Sequence, residues 1–272
     1  VAVGADTPYT WSLEPVVLVA VATVGGAYAW RLRTLRDRGE LGRGDRLRAL
    51  AFGGGLMVLL LALVSPIDSL GEERLFSVHM AQHLLLADLV PILLLLGVSR
   101  RLARPIVRRA QPIERSLGVL AGPITALFAL VVVIWGWHLR ATYELALNHA
   151  WAHQLEHMSF LAAGFAFWWY VIEPVPARHG LRGMTMLAYL AAAKLLLGAL
   201  GVALAFSPNP IYDSYEHTPR TWGLGVVEDL NIGGLIMLLE QSIVLLIFFA
   251  LLFVRMIERS ERDQRRREQL ES

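Results

Sequence analysis

The chain has 272 residues, 56% of them hydrophobic, and a mean hydropathy of +0.51, which is too apolar for a soluble domain with a polar surface. Its net charge of only +2 does not point to nucleic acid as a partner. Cysteine is absent, so disulfides and thiolate sites are excluded, and any bound metal must use His, Met, carboxylate or backbone oxygen.

Residues 1–10 are short and polar, with no charged stretch ahead of an apolar core, so no cleavable signal peptide is expected. An apolar run over 11–30, bracketed by tryptophans, predicts the first membrane span. Arginines follow at 31, 33, 36, 38, 43, 46 and 48, and a second span is expected over 49–64, stopped by Ser65-Pro66. The third covers 75–97 and contains His79, His83, Asp88 and Pro91. A second Arg-rich connection, with arginines at 100, 101, 104, 108, 109 and 115, leads to a fourth span over 123–138. The fifth begins near His149 and reaches 172, and a turn through Pro174, Pro176 and Gly180 precedes the sixth, over 184–206. After a long, aromatic connection over 207–225 comes the seventh, over 226–254. The expected organisation is all-α: a seven-helix transmembrane domain over 1–254 and a charged tail over 255–272 that frays into the aqueous phase.

Charge asymmetry gives the orientation. Alternate loops on one side collect the two Arg-rich connections, Arg178, Arg182 and the tail, whereas the other side has only Arg74, Arg140 and Arg220. The positive-inside rule then puts the C-terminus in the cytoplasm and, with seven spans, the N-terminus outside. Seven of the eight histidines fall in the outer half or outer loops, and only His179 faces the cytoplasm.

Two H-x-x-x-H pairs stand at the start of long apolar runs, His79/His83 and His153/His157. On a helix residues i and i+4 share a face about 6 Å apart along the axis, which is metal-ligand spacing. Imidazole is costly to bury in lipid without a partner, so two such pairs suggest one shared ion. His149 and His157 are separated by roughly 12 Å of helix rise, so His153 and His157 are the expected pair, and His149 serves ion uptake or nothing. His138 and His217, as single histidines, more readily suit the headgroup region without a ligand, and His138 is kept as an additional or supporting residue of the site. Asp68 and Asp229, on the outer side, could complete the site, orient its imidazoles or be solvated. Asp88, Lys194 and Glu240 lie near mid-membrane, where an internal ion-pair network is favoured slightly over a proton or ion relay. His153-Gln-Leu-Glu-His157 also matches the H-x-x-E-H pattern of zinc hydrolases with Glu156 as base, but the match is short and the second pair lies outside it.

Several segments resemble the CtaG-type cytochrome c oxidase assembly factors of bacteria, of the kind that serve caa3-type oxidases. They are Ser65-Pro-Ile-Asp68, Phe76-Ser-Val-His-Met-Ala-Gln-His83 with the leucines after it, Trp137-His138, Tyr143, His153-x-x-Glu156-His157 with Phe167-Trp168-Trp169, and Asp229-x-x-x-Gly233-Gly-Leu-Ile-Met237. Leu230 stands where the family usually has Gln, and Arg140 where a proline is expected; the histidine pairs are intact. The resemblance implies a seven-helix protein of the bacterial cell membrane that matures the oxidase by handling copper, with oxidase subunits or a copper donor protein as partners besides the lipid bilayer. The resulting expectation is a metallochaperone and not an enzyme, binding copper through His79, His83, His153 and His157, with Met80 and Met158 as soft ligands for the reduced ion. The alternatives are a haem-binding electron carrier ligated by one histidine from each pair and the zinc hydrolase.

Overall fold

The computed structural model describes residues 9–42, 44–175 and 180–271. Among them every regular element is helical: α1 (Pro15–Asp37), α2 (Asp45–Val64), α3 (Pro66–Glu73), α4 (Phe76–Leu84), α5 (Val90–Gly97), α6 (Arg100–Leu117), α7 (Pro123–His138), α8 (Arg140–Asn148), α9 (Ala150–Ile172), α10 (Met184–Ala205) and α11 (Val226–Glu271). A π-helical turn, Leu85–Leu89, joins α4 to α5. Five helices are long and apolar enough to cross a membrane, and α7 with α8, bent by 73°, makes a sixth if the pair is one span. The chain is a multi-pass membrane protein. α9, with 23 residues, is long enough to cross, but His153, Gln154, Glu156 and His157 near its start lower its hydropathy below that of the other spans.

Helix ends follow local chemistry. Pro66 opens α3, with the Ser65 hydroxyl accepting from Ile67 N at 3.3 Å, and Pro123 opens α7; proline at the first helical position removes a donor that would have no partner there. At position 91 the proline lies inside a span, so it cannot donate to the carbonyl of Ala87 four residues back, and the π turn beside it accommodates the broken ladder.

The segment from α4 through α5 is central, packed against α2, α3, α9 and α11. α9 packs in turn on α7 and α8, α10 lies against α7 and α11, and α1 is peripheral, with none of its apolar window buried within the protein. The two histidine-bearing helices run parallel, since His79 faces His153 at their starts and Ala87 meets Gly164 further in. Here backbone approaches backbone: a Cβ on Gly164 would lie 2.1 Å from the Ala87 carbonyl oxygen.

Three elements depart from the expected plan. α3, α6 and α8 occupy stretches that read as connections, because none carries a membrane-length apolar run. α6 keeps helical form despite Pro105 and Pro112 and lays Leu102 and Ala103 against the bundle. The charged tail is not separate from the last span, since α11 continues unbroken from Val226 to Glu271. His179, Pro176 and Arg178 lie outside the described residues.

The mid-membrane charges do meet, around a cavity of about 40 Å³ lined by Asp88, Lys194 and Glu240 with apolar neighbours. The expected ion pair is not seen among the described residues, however. Trp168 Nε1 donates to Asp88 Oδ1 at 2.7 Å, and Lys194 Nζ donates to the Leu238 carbonyl at 2.8 Å. A cavity of this size has room for one to three waters.

Gly164→Ala is expected to force α4–α5 and α9 apart and to cost about 1–3 kcal/mol, as overpacking does. Thermal unfolding of purified protein checks it against Gly53→Ala, where a new methyl meets nothing within 4 Å. Equal midpoints for the two variants would show that the close approach does not matter.

Candidate metal centre

The centre lies where α3, α4, α8 and α9 converge at the start of the two parallel helices. The first determinant is the depth of α4. Its N-terminal N–H groups have no side-chain cap of their own, and Asp229 of α11 supplies one: Oδ2 accepts from Phe76 N at 2.6 Å, and Oδ1 from Ser77 N at 3.1 Å and from the Ser77 hydroxyl. Asp229 is therefore a helix cap that carries no metal-facing role.

Four-residue spacing stacks the rings on each helix, with centroids 4.2 Å apart for His79/His83 and 4.2 Å for His153/His157. Across the interface His79 lies 5.4 Å from His153, and His83 lies 5.7 Å from His157. All four rings are buried. Glu156, one turn from His153, enters between the pairs: Oε2 is 3.9 Å from His79 Nε2, and Oε1 is 3.6 Å from His83 Nε2. These atoms could hold an ion. Three groups place one ligand atom from each member within 4.8 Å of one another: His79, His83 and His157; Asp68, His153 and His157; and His79, His153 and Glu156. Among the described residues these groups overlap, and each of the four histidines belongs to at least one of them.

Surrounding groups orient the rings. The Tyr215 hydroxyl donates to the Gly71 carbonyl at 2.8 Å and lies 3.1 Å from His79 Nδ1, while the Tyr143 hydroxyl lies 3.0 Å from the same nitrogen. With its proton committed to Gly71, Tyr215 accepts from His79 Nδ1–H, and His79 Nε2 is left as an acceptor toward the pocket. Gln82 donates to the Ala62 carbonyl at 2.8 Å and to Asp68 Oδ1 at 2.6 Å, which holds that carboxylate beside the histidines. Glu72 Oε1 approaches His153 Nδ1 at 3.7 Å.

The secondary candidates divide. Met80 is fully buried, and its sulfur lies 3.1 Å from His138 Nε2, whose ring spends its other nitrogen on the Ile134 carbonyl at 2.7 Å. Met158 is 64% exposed and points away from the site. His149 is exposed, bonds the Leu145 carbonyl and stands outside the triads, and His217 is exposed in the loop after α10. Glu72, Gln82 and Tyr215 belong to the site but were not expected there. Glu72, seven residues before His79 in sequence, is brought back by the short helix α3, which no apolar run announces.

Burial pushes the Asp68 carboxyl up to about 6, against the opposing hydrogen bond from Gln82. Burial, with the charges of Asp68 and Glu73 adding to it, pushes Glu72 up to about 7.

Residues 26–259 match the cytochrome c oxidase caa3 assembly factor family. Among curated proteins the chain is 25% identical over 239 residues to an uncharacterized protein of Mycobacterium bovis, covering 82% of this chain and 36% of that protein. An uncharacterized protein of Mycobacterium leprae is 24% identical over 241 residues, covering 83% of this chain and 36% of that one. The chain thus spans little more than a third of the length of these relatives. No solved structure matches it.

Asp68 and Glu72 hold their protons more tightly in the folded chain than in an unfolded one. The metal-free protein is therefore expected to lose stability as pH rises from the ordinary carboxylate range near 4 through about 7, where the folded state surrenders those protons. Thermal unfolding between roughly pH 4 and 8 checks this, with Asp68→Asn and Glu72→Gln each flattening the slope. A slope identical in the variants would assign it to other groups.

Proposed function

This chain belongs to the cytochrome c oxidase caa3 assembly factor family, and from that premise we propose that it is a membrane metallochaperone whose cargo is copper on its way to the oxidase. Its partners in this reading are the oxidase subunits or a copper donor protein. The observation that carries it is the set of buried ligand atoms without hydrogen-bond partners: His79 Nε2, both ring nitrogens of His83, His153 Nε2, His157 Nε2 and both oxygens of Glu156. Buried polar atoms in folded proteins are nearly always satisfied, and seven such atoms converging in one apolar bundle are what a metal site presents when only its protein atoms are counted. Imidazole with a single carboxylate suits copper or zinc, and the Met80 sulfur beside His138 adds a soft donor that favours reduced copper.

A haem between the helices fits less well. Glu156 lies within 3.9 Å of His79 and the Phe160 ring is tilted against that of His83 with centroids 4.4 Å apart, so the space a porphyrin plane needs is filled by side chains. The hydrolase reading is also weaker, because Glu156 stands among the ligand atoms themselves and not beside them as a base would.

The proposal takes α9 as a span and α7–α8 as one bent span. With the other five this makes seven, and the arginine distribution then directs the C-terminus to the cytoplasm of a bacterial cell and the histidines to the outer half of its membrane. A reporter fused after Glu271 that is active only on export should stay silent, and activity there would invert the orientation. The site is tested by the double variant His83→Gln with His157→Gln. It removes two of the three imidazoles of one triad and should weaken copper binding by roughly 100-fold or more, leaving the host's oxidase short of copper, while His217→Ala behaves as wild type. Unchanged copper in a double variant shown to be folded would refute the site.

A further inference from the structure

The ligand atoms exceed what one ion can use. A copper or zinc ion in protein takes about four ligands, whereas His79, His83, His153, His157 and Glu156 each present a buried ligand atom without a partner, and Asp68 and Glu72 stand at their edge. Filling one four-coordinate position would leave buried imidazole nitrogen or carboxylate oxygen unpaired, a cost that apolar surroundings make large.

Although the three groups share histidines, the residues can be divided so that each serves one position. Asp68, His153 and His157 form one triad within 4.8 Å. What remains is His79 and His83 with Glu156, whose two oxygens point at different rings, 3.9 Å and 3.6 Å away. Glu156 is on α9, three residues from His153 and adjacent to His157, yet it reaches the histidines of α4. Both oxygens lack partners, and Glu156 also offers a ligand atom within 4.8 Å of those of His79 and His153, one histidine from each group, which is where a carboxylate bridging paired metal ions would stand. Second, the groups differ in access. Asp68 is part-buried and Glu72 has a third of its side chain exposed, while His79 and Glu156 are fully buried.

We propose that the centre is binuclear, with an outer position made by Asp68, His153 and His157 and an inner position made by His79, His83 and Glu156, Glu156 lying between the two ions. This rests on the copper-handling reading above and extends it: cargo enters at the outer position and passes inward by exchange of ligands across the shared carboxylate, with no change of oxidation state and no bond made other than to the protein.

Copper(II) added to the purified chain in lipid nanodiscs, with unbound metal removed, provides the test by elemental analysis and electron paramagnetic resonance. Two ions per chain are expected, with the spectroscopically visible copper falling below the total as the second ion enters and the spins couple. Asp68→Asn with His153→Gln, and separately His79→Gln with His83→Gln, should each hold one ion with full signal. Glu156→Gln, which keeps the shape of the side chain and all four histidines, should restore signal lost to coupling; this readout moves only if the carboxylate lies between the ions. Saturation of the wild type at one ion, or two ions in the Asp68/His153 variant, overturns the binuclear proposal and leaves the copper-handling reading standing. No bound copper in the folded wild type would remove both.

Discussion

The contact on which the centre depends is made by Asp229 and the first turn of α4. The leading N–H groups of a helix have no partners within it, and in an apolar phase water is not there to supply them. Asp229 takes two of these N–H groups and the Ser77 hydroxyl, and so fixes α4 to α11 across 153 residues of sequence. Glycines let the neighbours close in around that joint: a Cβ on Gly233 would lie 2.5 Å from the Phe76 ring, and one on Gly71 would lie 3.0 Å from the His79 backbone. Depth and rotation of α4 are then set, and with them the direction in which His79 and His83 point.

Much of this was legible in the sequence, and what was not has a common cause. Apolar runs located the starts of the long helices to within a few residues, although α1 runs on to Asp37 and α11 to Glu271, and four-residue spacing identified both histidine pairs. Asp229 was visible only as a polar residue at the start of a span, because capping of one helix by a side chain of another is a tertiary relation with no local signature. The methionines make the same point. Met80 and Met158 each follow a histidine directly and so sit about 100° around the helix from it. On α4 that direction is interior, with His138 and Gly233 beside Met80; on α9 it leads outward, and Met158 is 64% exposed. Which of two equivalent methionines joins a site depends on whether a neighbouring helix covers that face.

Two polar layers in the same bundle are satisfied in opposite ways. At the level of Asp88, Lys194 and Glu240, the lysine and the aspartate each find a separate neutral partner, a carbonyl and an indole N–H, so neither needs the other. At the histidine level Tyr143, Tyr215 and the Gln82 amide N–H groups are engaged, but the atoms they orient face one another without bonds. In that first layer, among the described residues, a single buried oxygen, Glu240 Oε2, is left without a partner. The second spends its hydrogen bonds on holding acceptors together, which is costly unless something cationic joins them.

The π turn between α4 and α5 is a surplus residue in the helical circuit. A helix advances about 100° per residue, so the half carrying the histidines and the half beginning at Val90 are out of phase by that angle relative to an uninterrupted helix. Removing one residue between 85 and 89 would take out the surplus and turn one half against the other. Family members lacking the turn would keep both halves recognisable yet align only with a one-residue gap. A gapless alignment through this point would pair His79 and His83 correctly and misassign every residue of α5, or the reverse.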